Sequence, residues 1–301
     1  MANLKDLPKD IYDILTSEND NSIQDTKEST KFASNLVGHI NRATTHRERT
    51  RSDKVLYASE IGKPCVRQLY YNRTASDQAE PIQGHARYKF LYGDIIEEVT
   101  LQLARQAGHE VTHEQAALHT KDVLGTDWKI RGRCDAVIDG TPIDVKSASG
   151  FAMKKYMKEG LNSLNDSFGY REQLHYYASV LADTEDLNAS SFFLFVGKEL
   201  GQIALIENKI DHEEYETKLK ETIRILDDSL YSAYFGAPER PHAATRVKVE
   251  DNGNESLKPM CSYCPYKKLC YGDSLRAFRY STGPKFYVEV KKEPRVDEVA
   301  I

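Results

Sequence analysis

Hydrophobic positions recur along this chain in two rhythms. From Tyr88 to Ala107, Phe90, Leu91, Ile95, Ile96, Val99, Leu103 and Ala104 fall at helical spacing, and Gly108 ends the run. Between Asp127 and Lys146 the period drops to two, the signature of extended strands. The segment Arg131–Lys146 reads as a β-hairpin turning at Asp139-Gly140, with Asp127–Ile138 running out and Thr141–Lys146 returning. A two-residue turn sets Asp135 directly across from Asp144. A longer turn around Pro142 shifts the register by two and keeps the same faces. Cys134, Ala136, Ile138, Ile143 and Val145 then form an apolar face, and Asp135, Asp144 and Lys146 form the other.

The same reading predicts helical segments at Asp10–Leu15 and Thr30–Ile40, a short helix within Ala58–Arg73 and a strand over Glu110–His119. Further on it predicts an amphipathic helix over Tyr170–Leu181, a hairpin of Ser191–Val196 with Gln202–Ile206, and a long helix over Glu213–Phe235. Residues 1–54 read as a helical or partly disordered N-terminal extension, 55–275 as the main domain and 276–301 as a C-terminal tail, extended from Gly283. The stretch Arg42–Lys54, with Arg42, His46, Arg47, Arg49 and Arg51, suits phosphate contact or a solvated linker.

Composition adds little against this. The hydrophobic fraction of 40% is enough for a real core, and the net charge of −5 does not advertise a nucleic-acid binder. An acidic chain can still concentrate basic residues along one groove. No apolar run approaches membrane-spanning length, and the first residues lack the apolar stretch of a secretory signal, so the expectation is a cytoplasmic protein with no membrane partner.

The chemistry lies on the polar face of the hairpin. Facing carboxylates on neighbouring strands repel, and a divalent cation removes the repulsion, because hard cations choose carboxylate oxygen. Asp135 and Asp144, with Lys146 two residues on, therefore point to a metal-dependent site that cuts phosphodiesters. An Asp-x-Lys triplet alone occurs about once in a few hundred residues by chance at ordinary charged-residue usage, so its weight rests on the strand context and the preceding Gly132-x-x-Asp135. On the helix before the hairpin, Glu97 is the candidate third ligand, with Asp94 and Glu98 as rivals. On the helix after it, Gln173 and Tyr177 share one stripe at i, i+4 spacing, while Leu174, Ala178 and Leu181 suit the packed side.

Five cysteines do not make a disulfide scaffold here. Cys261, Cys264 and Cys270 are spaced C-x2-C-x5-C. Three thiolates need a fourth ligand to complete a tetrahedral metal site or a cubane cluster, and Cys65 is the candidate. Cys134, on the apolar face of the hairpin, reads as a small buried hydrophobe.

The ordered set Asp135, Asp144-Val145-Lys146 resembles the PD-(D/E)XK, or restriction-endonuclease-like, nuclease superfamily. Gln173-x-x-x-Tyr177 brings the resemblance closer to RecB-type exonucleases. That lineage usually supplies a His four residues after a helical glycine; here Gly93 is followed by Glu97, as in some phage recombination exonucleases. The resemblance implies an α/β fold with a central mixed sheet flanked by helices. It also implies hydrolysis of single-stranded DNA or DNA ends, with Mg²⁺ or Mn²⁺ held by Glu97, Asp135, Asp144 and the Val145 carbonyl. Lys146, Gln173 and Tyr177 would complete the catalytic set. One cysteine before the core and three after it resemble the four-cysteine iron–sulfur nucleases, including the CRISPR-associated RecB-like exonucleases. This implies a [4Fe–4S] cluster on Cys65, Cys261, Cys264 and Cys270, with Zn²⁺ as the alternative. A bacterial or phage source, recombination, repair or replication proteins as partners, and a homo-oligomer follow from the same likeness. The rival reading is a non-catalytic DNA-binding or complex-assembly subunit on a nuclease scaffold, against which stands the complete set Asp135, Asp144, Lys146, Gln173 and Tyr177.

Overall fold

The computed structural model describes residues 2–23, 25–45, 52–185, 187, 190–234 and 247–301. In chain order its first half contains α1 (Leu7–Thr16), α2 (Thr26–Thr44), β1 (Val55–Tyr57), α3 (Ala58–Ile61), α4 (Val66–Thr74), α5 (Gly84–Gln106), β2 (Val111–Thr112), β3 (Ala116–Thr120), β4 (Lys129–Cys134), β5 (Ala136–Ile138) and β6 (Thr141–Ala148). There follow α6 (Gly150–Glu159), α7 (Tyr170–Thr184), β7 (Phe192–Gly197), β8 (Ile203–Glu207), α8 (His212–Tyr234), β9 (Val247–Val249), β10 (Glu255–Leu257), α9 (Pro259–Ser262), α10 (Lys267–Tyr271), β11 (Arg276–Tyr280), β12 (Gly283–Glu289) and β13 (Glu298–Val299). The chain divides into two compact units. The first holds the described residues of Met1–Glu48, Lys54–Gly62 and Gln83–Thr217; the second holds those of Arg49–Asp53, Lys63–Ile82 and Lys218–Ile301.

The first unit is built on a mixed five-stranded sheet in the order β2-β5-β6-β7-β8, with β6 parallel to β7 and the other pairs antiparallel. The hairpin register Ile138↔Thr141, Val137↔Pro142 and Ala136↔Ile143 fixes a two-residue turn. Asp139 and Gly140 both have positive φ, 48° and 71°, as a twist-matched two-residue turn requires. Pro142 is taken into the register without lengthening the turn.

The apolar face of this hairpin forms the core. Ala136, Ile138, Ile143 and Val145, with Leu194 of β7, pack against Leu101 and Ala104 of α5 and against Leu7 and Ile11 of α1. Leu7 and Ile11 lie four apart and are fully buried, each contributing roughly 1.5–3 kcal/mol. Helix α1 is also fastened by hydrogen bonds. The Tyr12 hydroxyl donates to the Gly201 carbonyl at 2.9 Å and accepts from the Ile203 N–H at 2.7 Å. Buried His109 stands between Asp10 (3.3 Å) and Asp139 at the hairpin turn (2.6 Å).

Two predicted strands are each divided. His113 and Gln115 take positive φ, which sends β2 to the edge of β5 and β3 to β4 in a separate sheet of order β1-β4-β3. The outgoing arm of the hairpin breaks at Asp135, between β4 and β5.

The second unit contains an antiparallel sheet in the order β13-β11-β12-β10-β9. The extended tail expected from Gly283 is instead ordered in this sheet. Phe278 and Tyr287 are buried and meet edge to face at 5.6 Å, and Arg276 binds Glu293 and Glu298. No helix among the described residues is long and apolar enough to cross a membrane.

Candidate active site

The break at Asp135 turns its carboxylate onto the neighbouring strand, where Oδ2 accepts the Val145 N–H at 3.0 Å. On β6, Asp144 and Lys146 share a face. The Lys146 ammonium lies 2.6 Å from Asp144 Oδ2 and 4.0 Å from Asp135 Oδ2. Asp144 is wholly shielded from solvent, and neither carboxylate oxygen has a hydrogen bond of good geometry. Burying a carboxylate without such bonds is costly unless a cation compensates.

The three acids of α5 separate by helical face. Glu98 accepts from Asn35 Nδ2 at 2.9 Å and faces His39 of α2. Asp94 also pairs with His39, at 3.3 Å. Glu97 turns to the hairpin, where Gln115 donates to it at 2.5 Å. Burial pushes the Glu97 carboxyl up to about 9, and the charges of Asp135 and Asp144 add to the rise against the pull of Lys146. Burial likewise lifts Asp144 to about 7, with Lys146 opposing and Asp135 adding. Asp135 is raised by burial against Lys146 and the Val145 N–H. Burial alone would lower Lys146, but Asp144 and Asp135 outweigh it and hold the ammonium above its usual range.

Three acids thus crowd one ammonium, the environment that a divalent cation relieves. Among the described residues no three His, Cys, Asp or Glu side chains are grouped closely enough to hold one ion as they stand. Lys146 is the cation the acids share, and Glu97 is engaged by Gln115. The donor set is all oxygen, which suits Mg²⁺ or Mn²⁺.

Helix α7 lines the other side. Gln173 Nε2 donates to the Tyr177 hydroxyl at 2.8 Å, and Leu174, Ala178 and Leu181 are buried as their spacing predicts. Tyr177 crosses β4 at Gly132, where a Cβ would meet Tyr177 Cε1 at 2.7 Å and Ala58 Cβ at 2.8 Å. The helix starts at Gly169, whose φ of +79° and close approach to Gly62 exclude any side chain. Sequence reasoning missed Tyr170. The Lys146 ammonium sits 5.2 Å from its ring centroid, and burial pushes its phenol up to about 12, with Lys146 opposing and Asp144 adding. Its position three residues before Gln173 and seven before Tyr177, on the same stripe, was the available signal.

His175, also on α7, lies apart from the acids in the contacts it makes. His175 contacts His212, Nε2 to Nδ1, at 3.0 Å and is held down to about 4 by burial and by that neighbour. Cys134 is buried, as its place on the apolar face predicts. Of the basic stretch, residues 46–51 lie outside the described residues; Arg42 contacts His39 at 2.7 Å, and Lys54 lies over the Trp128 ring.

In the second unit, Cys65, Cys261, Cys264 and Cys270 line a single pocket with Gln68, Tyr71, Met260, Lys267 and Tyr271. The Tyr271 hydroxyl donates to Cys261 Sγ at 3.8 Å. Burial pushes the Cys264 thiol up to about 12, eased by a backbone bond at Tyr266 and reinforced by the other three cysteines. Lys267 pairs with Glu80, and the Glu80 N–H donates to the Pro265 carbonyl at 2.9 Å, so the segment after α4 is held beside the cysteine loop.

Comparison with known proteins places these residues in context. A family model described as the PD-(D/E)XK nuclease superfamily matches residues 42–271, a span that includes both the acids and the four cysteines. No curated protein matches. One similar solved structure, titled "Crystal structure of SSO0001", is 15% identical, with a TM-score of 0.43, and the alignment covers 83% of this chain and 98% of that one. It is too distant to bear on the site.

Proposed function

Because the chain belongs to the PD-(D/E)XK nuclease superfamily, we propose that it is a metal-dependent DNA exonuclease acting on single-stranded DNA or DNA ends in recombination, repair or replication. The observation that carries this reading is the buried Asp144 beside Asp135, with Lys146 as their counter-charge. Glu97, Asp135, Asp144 and the Val145 carbonyl are the residues that would hold Mg²⁺ or Mn²⁺. When bound, such an ion supplies Lewis acidity and lowers the pKa of water.

The remaining chemistry belongs to the chain. Lys146, its ammonium held charged by the acids, is placed to neutralise charge developing on the phosphate. The Tyr170 ring lies beside that ammonium and contributes a cation–π contact. Gln173 and Tyr177 bind each other and would position Lys146 and the substrate backbone.

The four cysteines are proposed to hold a [4Fe–4S] cluster. Four sulfurs around one pocket suit a thiolate-bound group, whose positive charge would relieve the pressure on Cys264. A single zinc, with Zn–S bonds near 2.3 Å, draws its sulfurs to within about 4 Å of one another. A larger cluster holds them further apart.

The test is cleavage of single-stranded DNA labelled at its 5′ or 3′ end, with and without Mn²⁺. The wild-type chain should cut only with the ion, and folded Asp144→Ala should be inert. Metal-dependent cutting by Asp144→Ala would overturn the assignment.

A further inference from the structure

Beyond the acids, one surface of the first unit combines exposed aromatic rings with lysines. Tyr88 and Tyr92 lie one turn apart on α5 and are 72% and 40% exposed, and Phe151 in the first turn of α6 is 82% exposed. The segments that carry Tyr92 and Phe151 are linked through the end of β6. Strand β6 ends at Ala148, whose carbonyl accepts the Lys198 N–H at 2.9 Å, and the Gly150 N–H donates to Glu199 Oε2 at 3.0 Å. The β7–β8 turn is thereby tied to the start of α6. From that turn, the Lys198 ammonium reaches to 6.0 Å from the Tyr92 ring centroid. Next to Tyr92, a Cβ on Gly93 would lie 3.5 Å from Ser147 Oγ, so α5 crosses β6 one residue past Lys146. Exposed Lys89 stands between Tyr88 and Gly93 on the helix surface.

We propose that Tyr88, Tyr92 and Phe151, with Lys89 and Lys198, form a stacking track that receives single-stranded DNA and leads it to the acids. This deepens the nuclease reading and rests on it. Three observations favour an unpaired strand. Aromatic faces stack on any unpaired base, whereas a duplex hides those faces. Lys89, next to Tyr88 in the chain, and Lys198, near the Tyr92 ring, set cations beside the aromatic faces, as phosphates lie beside bases along a single strand. Burial and the charge of Lys89 hold Lys198 below its ordinary range, so the surface gathers cations whose repulsion an incoming phosphate would relieve. Lysine is depleted in protein–protein interfaces, which argues against a second copy of this chain on the same face.

The test is fluorescence anisotropy of the full chain with a labelled oligothymidine and with a blunt duplex of equal length, in EDTA so that cleavage plays no part. The wild type should prefer the single strand. Tyr88→Ala/Tyr92→Ala and Phe151→Ala should each weaken oligothymidine binding about tenfold or more, by the usual worth of a base–aromatic stack, while leaving duplex binding little changed. Tyr92→Phe, which keeps the ring and the packing, should bind like wild type. Unchanged oligothymidine affinity in the alanine variants would overturn the track. So would Tyr92→Phe binding as weakly as the alanine form. Self-association that those variants abolish, without any effect on DNA binding, would assign the face to a second copy instead. Binding without cutting by the wild type would reject the nuclease reading and leave the track intact, so the two failures are distinguishable.

Discussion

The Lys146 ammonium lies 2.6 Å from Asp144 Oδ2, and Asp144 has no exposure to solvent. Each group is the other's counter-charge. Lys146→Met leaves buried acids without a partner, and breaking such a pair typically costs about 3–5 kcal/mol. The variant should therefore unfold at lower urea concentration than wild type at pH 8, while Asp144→Asn/Lys146→Met should recover much of the loss. Equal midpoints for Lys146→Met and wild type would show that the acids do not depend on the ammonium.

Glu97 makes stability fall as pH rises. Its carboxyl stays protonated in the folded chain up to about 9, whereas the unfolded chain ionises near the ordinary value of 4.5. Between those two values the folded state binds the extra proton, so stability present at acid pH is lost towards pH 9. Thermal melts of the metal-free protein should show a decline across that window. The decline should be shallower in Glu97→Gln, and a Glu97→Gln slope identical to wild type would contradict the assignment.

The same protonation couples to metal uptake. Carboxylates must lose their protons to act as ligands, and Glu97 and Asp144 are both held above their ordinary values by burial. Mn²⁺ binding should tighten with pH up to about 9 and release protons, measurable by titration calorimetry in two buffers of different ionisation enthalpy. Asp135→Asn should weaken binding. Heats that do not depend on the buffer would count against these ligands.

Gly132→Ala places a methyl group within 2.7 Å of Tyr177 Cε1 and 2.8 Å of Ala58 Cβ. Overpacking of this kind typically costs about 1–3 kcal/mol. Cleavage should fall as well, because Tyr177 must leave its position beside Gln173. A variant as active and as stable as wild type would show that β4 and α7 can part without consequence.

Cys264→Ser should abolish a visible iron–sulfur chromophore in anaerobically purified protein and lower its iron content, while Cys134→Ser should leave both intact. Stoichiometric zinc in a colourless wild-type preparation would assign the pocket to zinc.

Much of the site was legible because a hairpin writes itself in alternation. Asp139-Gly140 marked the turn, and period two then separated Asp135, Asp144 and Lys146 from the apolar Ala136, Ile143 and Val145. Helix α5 was found for the same reason, although it begins at Gly84, a turn before its apolar run. The choice among Asp94, Glu97 and Glu98 was not legible, since all three fall within about 100° of one another around a helix and His39, which draws two of them away, comes from a distant helix. Tyr170 escaped because a tyrosine opening a helix reads as ordinary packing. The strands after Gly283 escaped because Lys, Arg and Glu dominate that segment, and its sheet is closed by Arg276 pairing with Glu293 and Glu298.

The anchoring of α1 bears on how this enzyme can be trimmed. Residues 1–54 read in sequence as a helical or partly disordered extension. Cutting them away would strip Leu7 and Ile11 from the back of the hairpin that carries Asp135 and Asp144, strand His109 beside Asp139 and loosen the turn at Gly201. A shortened version begun at the first strand would expose an oily slab directly behind its acids, and insolubility in that version would say nothing about the chemistry in front.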